Sequence, residues 1–277
     1  MPPLFSVVIP SYNRKNFLKK SIDSVLNQSI RDFELVVVDD GSTDSSILLV
    51  AEYTGKGLTY IRTSNLGVSH ARNTGIQSSR GSYIAFLDSD DCWESSKLEH
   101  VLESINNFPE IDLFHTEETW VRNGKELKQK DKYKRYSGSI YQQCLPICCI
   151  GMSTLVVKKS LFTKIGMFDE KMSVCEDYDF FLRATLKNNV KLIALSLTIK
   201  DGGREDQLSN RPGLDKYRIY ALEKMLNSRY LSGENLELTV SELEKKCTIY
   251  AKGLAKRGKI VEAKIYLDKL NYYRERN

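Results

Sequence analysis

The sequence contains no run of about 18 apolar residues, which is the length that a membrane-spanning helix needs. Its start, MPPLFSVVIP, lacks the basic leader, the apolar stretch and the small-residue cleavage site of a secretory signal. The six cysteines are too few for a disulfide scaffold, and no two of them have the CxxC spacing of a zinc site. We therefore expect a cytoplasmic protein whose thiols are reduced.

The glycine-rich fingerprint GxGxxG is also absent after every predicted strand, which argues against a dinucleotide-dependent dehydrogenase. With 277 residues and 41% hydrophobic content, the chain can bury a full core, either as one large domain or as one domain with an appendage. Its fold class therefore has to be inferred from the order of its apolar runs.

The first hundred residues alternate short apolar runs with amphipathic stretches. The runs LFSVVIP, FELVVVDD, LTYIRT and SYIAFLDSD are typical of strands buried on both faces of a parallel sheet. Between them, NFLKKSIDSVLNQ, DSSILLVAEY and GVSHARNTGIQSS have the apolar spacing of helices. This alternation predicts an α/β fold with a doubly wound, Rossmann-like mixed sheet, whose ligands bind beyond the carboxyl ends of the strands.

A second region, from about Ile111 to Asp206, has predicted strands in IDLFHTEE and STLVVK and a helix that begins near Glu176. After Leu214 the apolar residues have helical spacing throughout, and the last two predicted helices form a hairpin at Gly258. We place boundaries after residues 110 and 212, which gives two halves of one α/β domain, 1–110 and 111–212, and a helical extension over 213–277.

The net charge of +5 lies in this extension, because the stretch from Leu214 to the end has 14 Lys and Arg against 9 Asp and Glu. Two explanations stay open: a solvated helical face, or contact with an anionic membrane surface. Two interpretations also stay open for the basic stretch from Lys125 to Arg135, which contains Tyr133. It is either a solvated loop or a segment that contacts an acceptor or a phosphorylated lipid carrier.

The stretch FLDSDDCW places three carboxylates directly after a predicted buried strand. Residues two apart on an extended chain point the same way, so Asp88 and Asp90 are expected to project together while Asp91 faces elsewhere. A shared Mg²⁺ or Mn²⁺ ion would relieve their repulsion, since both ions prefer oxygen ligands. The alternative is a turn followed by an acidic helix N-terminus.

Three other strand or helix ends carry polar groups. VVIPSYNR ends with Tyr12 and Asn13, and an aromatic face beside carboxylates suits a base that stacks and donates an imide N–H. VVVDDGSTD ends with Asp39 and Asp40, although DDGS also makes a simple turn and helix cap. CEDYDFFLR opens a helix with acids that would complement the helix dipole even without a catalytic role.

Taken together and in this order, VVIPSYNR, VVVDDGSTD, NLGVSHARNTGIQSSRGSYIAFLDSDDCW, GMSTLVVKKSLFTKIGMFDE and CEDYDFFLR resemble the family 2 glycosyltransferases, which have the GT-A fold. The likeness covers roughly residues 4–210, and DQLSN with the following helix extends it to about residue 226. It implies an inverting enzyme with a nucleotide-binding half and an acceptor-binding half. The donor would contact Pro10, Tyr12, Asn13, Asp39, Asp40, Arg72, Asn73, Asp88, Ser89 and Asp90.

The resemblance also implies individual roles. Pro10, Tyr12 and Asp40 would hold the base, most often uracil, with Asp39 supporting that loop. Arg72 would face the diphosphate, and Asn73 would order the same turn.

In the DXD motif, Asp90 would be the principal ligand of Mg²⁺ or Mn²⁺, and Asp88 would contact the ribose or, through water, the metal. Asp177 would be the catalytic base, with Glu176 beside it positioning the acceptor. Related sequences often have a His in GGH before DQLS, where this chain has Arg204. Arginine cannot ligate a cation, so Asp201 or Glu205 would have to take that place, or Arg204 would pair with the diphosphate.

The expected reaction is transfer of one sugar from a nucleotide-diphosphosugar, with a UDP-sugar as the expected donor, to a saccharide or lipid-linked acceptor in cell-surface polysaccharide or glycolipid assembly. The QxxRW segment of processive synthases is absent. We expect no nucleic-acid partner, and we leave open a homo-oligomer and peripheral contact with the inner face of the membrane. A noncatalytic sugar-nucleotide-binding or scaffold protein and a nucleotidyltransferase are the alternatives, although the GxGxRxxP loop and the DxDxT nucleophile of phosphate-handling enzymes are absent.

Overall fold

The computed structural model describes residues 1–53, 55–122, 124–129, 133–202 and 213–276, with side chains up to Tyr273. The strands are β1 (Phe5–Ser11), β2 (Phe33–Asp39), β3 (Leu58–Arg62), β4 (Tyr83–Phe86), β5 (Cys92–Trp93), β6 (Leu113–Arg122), β7 (Lys125–Leu127), β8 (Val156–Lys158) and β9 (Val190–Asp201). The helices are α1 (Lys15–Leu26), α2 (Ser46–Ala51), α3 (Val68–Ser78), α4 (Lys97–Asn107), α5 (Tyr141–Cys144), α6 (Lys159–Ile165), α7 (Glu176–Thr185), α8 (Leu214–Asn227), α9 (Gly233–Lys256) and α10 (Ile260–Arg276).

The described strands form a single mixed sheet in the order β3-β2-β1-β4-β8-β6-β9-β5, with β7 paired to β6. Strands β3, β2, β1 and β4 are parallel, whereas β8 is antiparallel to both β4 and β6. Strand β9 is parallel to β6, and β5 is antiparallel to β9. The predicted doubly wound, mixed α/β sheet is therefore confirmed.

Alternate residues of β1 show why the sheet is covered on both faces. Val7 and Ile9 pack in a cluster with Leu18 of α1 and Leu98 of α4, whereas Val8 packs in the cluster that contains Ile76 of α3. All seven residues of β1 are buried, as expected for a central strand of a doubly wound sheet.

One glycine sets the distance between α3 and the sheet. A Cβ atom on Gly75 would overlap the side chain of Val8, so a larger residue at this position would push the helix away. Because α3 also holds Arg72, this close packing fixes where that guanidinium meets the edge of the sheet.

The acidic stretch after β4 is a turn and not a continuation of the strand. Strand β4 ends at Phe86, and the N–H of Asp91 donates to the carbonyl of Asp88 at 3.0 Å. The strand alternation that we used to orient these side chains therefore does not apply. The turn decides where they point, and it leaves Asp91 buried.

The second half contains a strand that the apolar pattern did not reveal. Strand β9 pairs with β6 over most of its length, with register shifts on either side of Glu117. Strand β6 also runs four residues past the predicted IDLFHTEE, which brings Trp120 into the sheet. The inner part of β9 is half-buried or exposed, so this strand differs from β1 and β2, which are buried on both faces.

The predicted helices after Leu214 are confirmed, and so is the hairpin at Gly258, which has a left-handed backbone with φ of 76° between α9 and α10. Buried residues of these helices, such as Leu243 and Tyr266, belong to the same apolar cluster as Phe180 of α7. The boundaries after residues 110 and 212 stay a prediction. Among the described helices, none combines the length and the apolar character needed to cross a membrane.

Candidate active site

A cleft of about 1080 Å³ opens where β1 and β4 end and α7 begins. Most of the residues that the sequence indicated line this cleft, although they come from segments far apart in the chain. They are Pro10, Tyr12, Asp40, Arg72, Asp88, Ser89, Asp90, Glu176 and Asp177. Three others, Asn13, Asp39 and Asn73, lie behind the lining and hold other residues in place.

Asp39 is a buried support for the turn that follows β2. One carboxylate oxygen accepts the N–H of Ser42 at 2.8 Å, and the other accepts the hydroxyl of Tyr60 from β3. This hydrogen bond raises the pKa of Tyr60 to about 12, together with burial, which is the larger cause. Asp39 therefore acts as the support that the sequence suggested and does not face the cleft.

Asp40 lines the cleft, but its carboxylate already has three hydrogen-bond donors. One oxygen accepts the hydroxyl of Thr63 at 2.7 Å and the N–H of Leu66 at 2.8 Å, and the other accepts the N–H of Gly67 at 2.7 Å. These bonds tie the loop before α3 to the end of β2. The second oxygen keeps one acceptor position that a ligand can use.

Tyr12 and Asn13 occupy the turn after β1. Asn13 has a left-handed backbone, its N–H donates to the hydroxyl of Ser42, and its side-chain oxygen accepts the N–H of Thr43. Asn13 thereby joins the ends of β1 and β2 and does not reach the cleft itself. Tyr12 is 43% exposed on the cleft wall, and its hydroxyl accepts a bond from Asn65 at 3.3 Å.

Arg72 connects the two acidic motifs of the sequence. One terminal nitrogen donates to Asp88 Oδ1 at 2.9 Å, and the other donates to Glu176 Oε1. The guanidinium is buried and lies 5.5 Å from the ring centroid of Phe168. Its bond to Glu176 spans 104 positions of the chain, and together with the bond to Asp88 it joins the turn after β4 and the start of α7 into one site.

The charges in this bridge shift the pKa values in opposite directions. Burial alone would raise the pKa of Asp88, but the positive charges of Arg72 and Lys200 hold that pKa below its ordinary value. For Glu176, burial is the stronger effect and raises the pKa, with Arg72 opposing it and Asp177 adding to it. The pKa of Arg72 is raised because Asp88 and Glu176 outweigh its burial.

Asn73, the neighbour of Arg72 on α3, orders the segment that precedes α7. Its amide donates to the carbonyl of Phe168 at 2.9 Å and to Glu170 at 2.8 Å, and it accepts the N–H of Phe168 at 3.0 Å. The sequence indicated that Asn73 orders a turn near the diphosphate. The turn that it orders belongs to residues 168–170, almost a hundred positions away.

Asp91 and Lys200 form a buried pair next to the DXD turn. Asp91 accepts the hydroxyl of Ser153 at 2.6 Å, and its Oδ2 lies 3.7 Å from Nζ of Lys200. Burial raises the pKa of Asp91 to about 7, and the charges of Asp88 and Asp90 add to this effect while Lys200 reduces it. The pKa of Lys200 is raised by Asp91, Glu118 and Asp88 against the effect of burial.

The helix α7 begins at Glu176, and its first residues face the cleft. Glu176 is buried against Arg72, whereas Asp177 is partly exposed and accepts the N–H of Tyr178 at 2.7 Å. A carboxylate at a helix N-terminus is favoured by the helix dipole. The more accessible of the two acids is therefore the one that the resemblance names as the base.

Several residues of the cleft were not indicated by the sequence. They are Glu118, Trp120, Tyr133, Arg135, Gly151 and Lys200, which form the wall contributed by β6, β9 and the segments around residues 133 and 151. Two signals were present: Tyr133 and Arg135 lie in the basic stretch that we noted, and Trp120 follows two acids on a strand. Lys200 gave no signal, because strand β9 itself was missed.

The residues present fit a divalent cation. Mg²⁺ in nucleotide sites is usually held by one or two carboxylates together with substrate phosphates, and Asp88 and Asp90 both line the cleft. In the part of the chain that the structure describes, no three His, Cys, Asp or Glu side chains are arranged to hold a metal on their own. Arg204 and Glu205, which the sequence analysis considered near the metal, lie outside the described residues.

Comparisons with known proteins bear on this arrangement. The family described as glycosyl transferase family 2 matches residues 6–162. An uncharacterized glycosyltransferase of Rickettsia prowazekii is 32% identical over 192 residues, which are 65% of this chain and 58% of that protein. The chain thus spans less than two thirds of this relative.

Two solved structures have similar folds. TarS 1–349 of S. aureus, in complex with UDP-GlcNAc, has a TM-score of 0.75 at 20% identity, covering 95% of this chain and 79% of that chain. The mannosyltransferase PcManGT of Pyrobaculum calidifontis, in complex with GDP-Man and Mn²⁺, has a TM-score of 0.63 at 15% identity, covering 99% and 85%. At these identities the likeness shows the fold alone, and the GT-A fold that the motifs implied is confirmed.

Proposed function

The chain belongs to glycosyl transferase family 2, and we propose that it is an inverting glycosyltransferase that moves one sugar from a nucleotide-diphosphosugar to a hydroxyl acceptor. The observation that carries this proposal is the shared cleft of Asp88, Asp90 and Asp177. Two of these acids follow a strand of the first half, and the third begins a helix of the second half. Such a cleft can hold a donor diphosphate and an acceptor hydroxyl side by side.

We propose a uridine nucleotide as the donor. Tyr12 offers a partly exposed ring at the end of β1 on which a base can stack, and Asp40 keeps one acceptor position for an imide N–H. The complex of TarS with UDP-GlcNAc supports this choice, since that protein has the same fold. Pro10 lines the same end of the cleft and would flank the base.

We propose that Asp90 and Asp88 hold the divalent cation, with Ser89 in the turn between them. A Mg²⁺ or Mn²⁺ ion bound there would stabilise the negative charge that grows on the leaving diphosphate. Arg72 lies beside Asp88 and contributes a fixed positive charge at the same end of the donor. Because its guanidinium is held by two carboxylates, it stabilises charge without having to reorganise.

Asp177 is proposed to accept the proton of the acceptor hydroxyl. The hydroxyl oxygen then attacks the anomeric carbon from the face opposite the diphosphate, while the bond between that carbon and the phosphate oxygen breaks and the nucleoside diphosphate leaves with the electron pair. Glu176 is buried against Arg72, so it acts by fixing the start of α7 and not by contacting the acceptor. This differs from the positioning of the acceptor that the resemblance implied for Glu176.

The test is release of nucleoside diphosphate from a panel of UDP-sugars and GDP-sugars, compared with Asp177→Asn. We expect the variant to lose roughly 10²- to 10⁴-fold in rate, because removal of a general base has effects of that size, while uridine diphosphate still binds. A variant as fast as the wild type would contradict the role of Asp177. Binding of nucleotide sugars without any release would favour the noncatalytic binding protein.

A separate binding measurement tests the proposed metal site. Uridine diphosphate is titrated into the protein with Mn²⁺ and again with excess chelator, and we expect much weaker binding without the metal because Asp88 and Asp90 would then repel the diphosphate. Equal affinity in both titrations would overturn the metal site.

We further propose that the acceptor is a saccharide or lipid-linked sugar of cell-surface polysaccharide or glycolipid assembly, and that α10 contacts an anionic membrane surface. Ile260, Val261 and Ile265 are exposed on α10, next to Lys259 and Lys264, which suits an interfacial helix. Flotation with liposomes that contain or lack anionic lipid tests this contact. Equal flotation with both would contradict it, and self-association in sedimentation would instead favour a homo-oligomer.

A further inference from the structure

The wall of the cleft formed by β6 carries a pair of aromatic rings. The ring centroids of Trp120 and Tyr133 are 5.5 Å apart with 32° between their planes, and both side chains are half-buried on the cleft surface. The ammonium of Lys200 lies 5.8 Å from the Trp120 ring. The rings are therefore held in a fixed position at the edge of the cleft, where a flat apolar face is available to a ligand.

Glu118 lies beneath these rings and has an unsatisfied carboxylate oxygen. Its Oε1 accepts the indole N–H of Trp120 at 2.8 Å and a bond from Arg135, whereas Oε2 has no hydrogen-bond partner among the described residues. The side chain is 1% exposed. A buried carboxylate oxygen without a donor is destabilising, so its presence in a cleft wall points to a ligand that supplies the donor.

Arg135 has a complementary unsatisfied group. Its terminal nitrogens donate to Glu118 and to the carbonyl of Cys149, but its Nε–H lacks a partner among the described residues. The pair thus presents both a spare acceptor and a spare donor. A sugar hydroxyl is the ligand group that satisfies both, because it donates one hydrogen bond and accepts others.

Gly151 lies directly against the unsatisfied oxygen. A Cβ atom built on Gly151 would overlap Glu118 Oε2, and both residues line the cleft. The backbone of Gly151 has a φ of −82°, which any residue can adopt, so the turn does not require glycine for its conformation. What the glycine provides is the close approach of the Glu118 carboxylate, which occupies the space that a Cβ atom would take.

We propose that Glu118, Trp120 and Gly151 form a subsite for one sugar ring in the cleft. One hydroxyl of that sugar donates to Glu118 Oε2, and the apolar face of its ring packs on the Trp120–Tyr133 pair. The subsite rests on the proposed glycosyl transfer and adds the residues that choose the sugar. The ring is either the sugar that is transferred or the acceptor sugar, which present the same chemistry to these groups.

Three variants test the subsite by different routes. Glu118→Gln removes the charged acceptor, Trp120→Ala removes the aromatic face, and Gly151→Ala displaces Oε2 of Glu118 without removing a polar group. The matched control is Thr119→Val, because Thr119 lies between the two residues on β6 but bonds to Ser196 and does not line the cleft. Thermal unfolding identifies any variant that fails to fold, in which case the other two carry the test.

Each variant is measured for its Kd for uridine diphosphate, for KM of the UDP-sugar that the wild type hydrolyses, and for KM of p-nitrophenyl glycosides as acceptors. We expect one KM to rise roughly tenfold or more, which corresponds to the loss of one hydrogen bond to a charged group, with the Kd for uridine diphosphate within about twofold. A higher KM for the UDP-sugar assigns the subsite to the transferred sugar, and a higher KM for the glycoside assigns it to the acceptor.

Two results would overturn the subsite: unchanged KM values in all three variants, or a Kd for uridine diphosphate that weakens in parallel with KM. Failure of the wild type to bind uridine diphosphate at all would instead contradict the proposed function, so the two proposals fail separately.

Discussion

The two ends of the cleft hold their acidic residues in different ways. In the turn cluster, formed by Tyr12, Asn13, Asp39 and Asp40, the carboxylates accept backbone N–H groups and hydroxyls. In the charge cluster, formed by Arg72, Asp88, Asp91, Glu176 and Lys200, the carboxylates are held mainly by the positive charges of Arg72 and Lys200.

This difference indicates that the turn cluster is mainly a structural support and that the charge cluster is the reacting centre. Neutral donors at the turn cluster make a loop whose internal hydrogen bonds form before any ligand arrives, with one acceptor position of Asp40 left for a ligand. The charge cluster buries several like charges close together and shifts their pKa values, which is typical of sites that bind or transform charged ligands. The contrast predicts that substitutions in the charge cluster have larger effects on stability than those in the turn cluster.

The largest effect is expected for Arg72→Met. The change leaves Glu176 and Asp88 without their shared cation, and breaking a buried ion pair on one side costs about 3–5 kcal/mol. Urea denaturation gives the free energy of unfolding. The double variant with Glu176→Gln should recover part of the loss, because one of the stranded charges is removed.

The matched control is Arg80→Met. Arg80 also pairs with a glutamate, Glu34, but its side chain is 71% exposed, so the expected loss is about 0–1 kcal/mol. Equal losses of unfolding free energy for Arg72→Met and Arg80→Met would show that the ion pairs of the charge cluster contribute no more to stability than a surface ion pair.

The sequence predicted the turn cluster well and the charge cluster only in part. Tyr12, Asp39 and Asp40 directly follow strands whose apolar runs are continuous, so their place at the carboxyl edge follows from local pattern. The bridge from Arg72 to Glu176 spans 104 positions, and no local pattern reports a contact of that kind.

Local sequence patterns also failed to predict the wall of the cleft that β6 and β9 form. Lys200 lies on β9, whose inner residues are half-buried or exposed and so differ from the fully buried strands that the sequence indicated, and Trp120 joins the sheet only because β6 extends past Glu118 to Arg122. The two bulges between β6 and β9 also decide which side chains face the cleft, and a register shift has no signature in a single sequence.

A pH-dependent effect of intermediate size is expected at Asp91. Its native pKa of about 7 lies above the unfolded value of about 3.9, so the native state holds a proton that the unfolded chain releases between these pH values. This contribution to stability is complete below about pH 4 and is lost as pH rises through 7, with a slope of up to about 1.4 kcal/mol per pH unit.

Asp91→Asn tests that slope, because the amide does not titrate. The difference in unfolding free energy between wild type and variant, measured from pH 4 to pH 8, isolates Asp91 from the other acids. The variant should gain stability relative to the wild type as pH rises. A difference that stays constant with pH would mean that Lys200 keeps Asp91 ionised throughout.

A smaller effect is expected for Asp40→Asn in the turn cluster. The amide keeps one acceptor oxygen but points an NH₂ group at a backbone N–H of Leu66 or Gly67, which removes one partly buried hydrogen bond and costs about 0.5–1.5 kcal/mol. Asp32→Asn is the control, since exposed Asp32 accepts a single side-chain hydrogen bond among the described residues, from the N–H of Leu4. A loss as large as that of Arg72→Met would remove the distinction between the two clusters.

The smallest effect is expected for Tyr12→Phe, measured as the Kd for uridine diphosphate. The hydroxyl of Tyr12 makes one long hydrogen bond to Asn65 on an exposed surface, so its loss should change the free energy of binding by less than about 1 kcal/mol. Tyr12→Ala removes the ring itself, and loss of base stacking should cost about 1–3 kcal/mol. If the phenylalanine variant bound as weakly as the alanine variant, the hydroxyl and not the ring would be the contact, and the turn cluster would recognise its ligand by polar bonds alone.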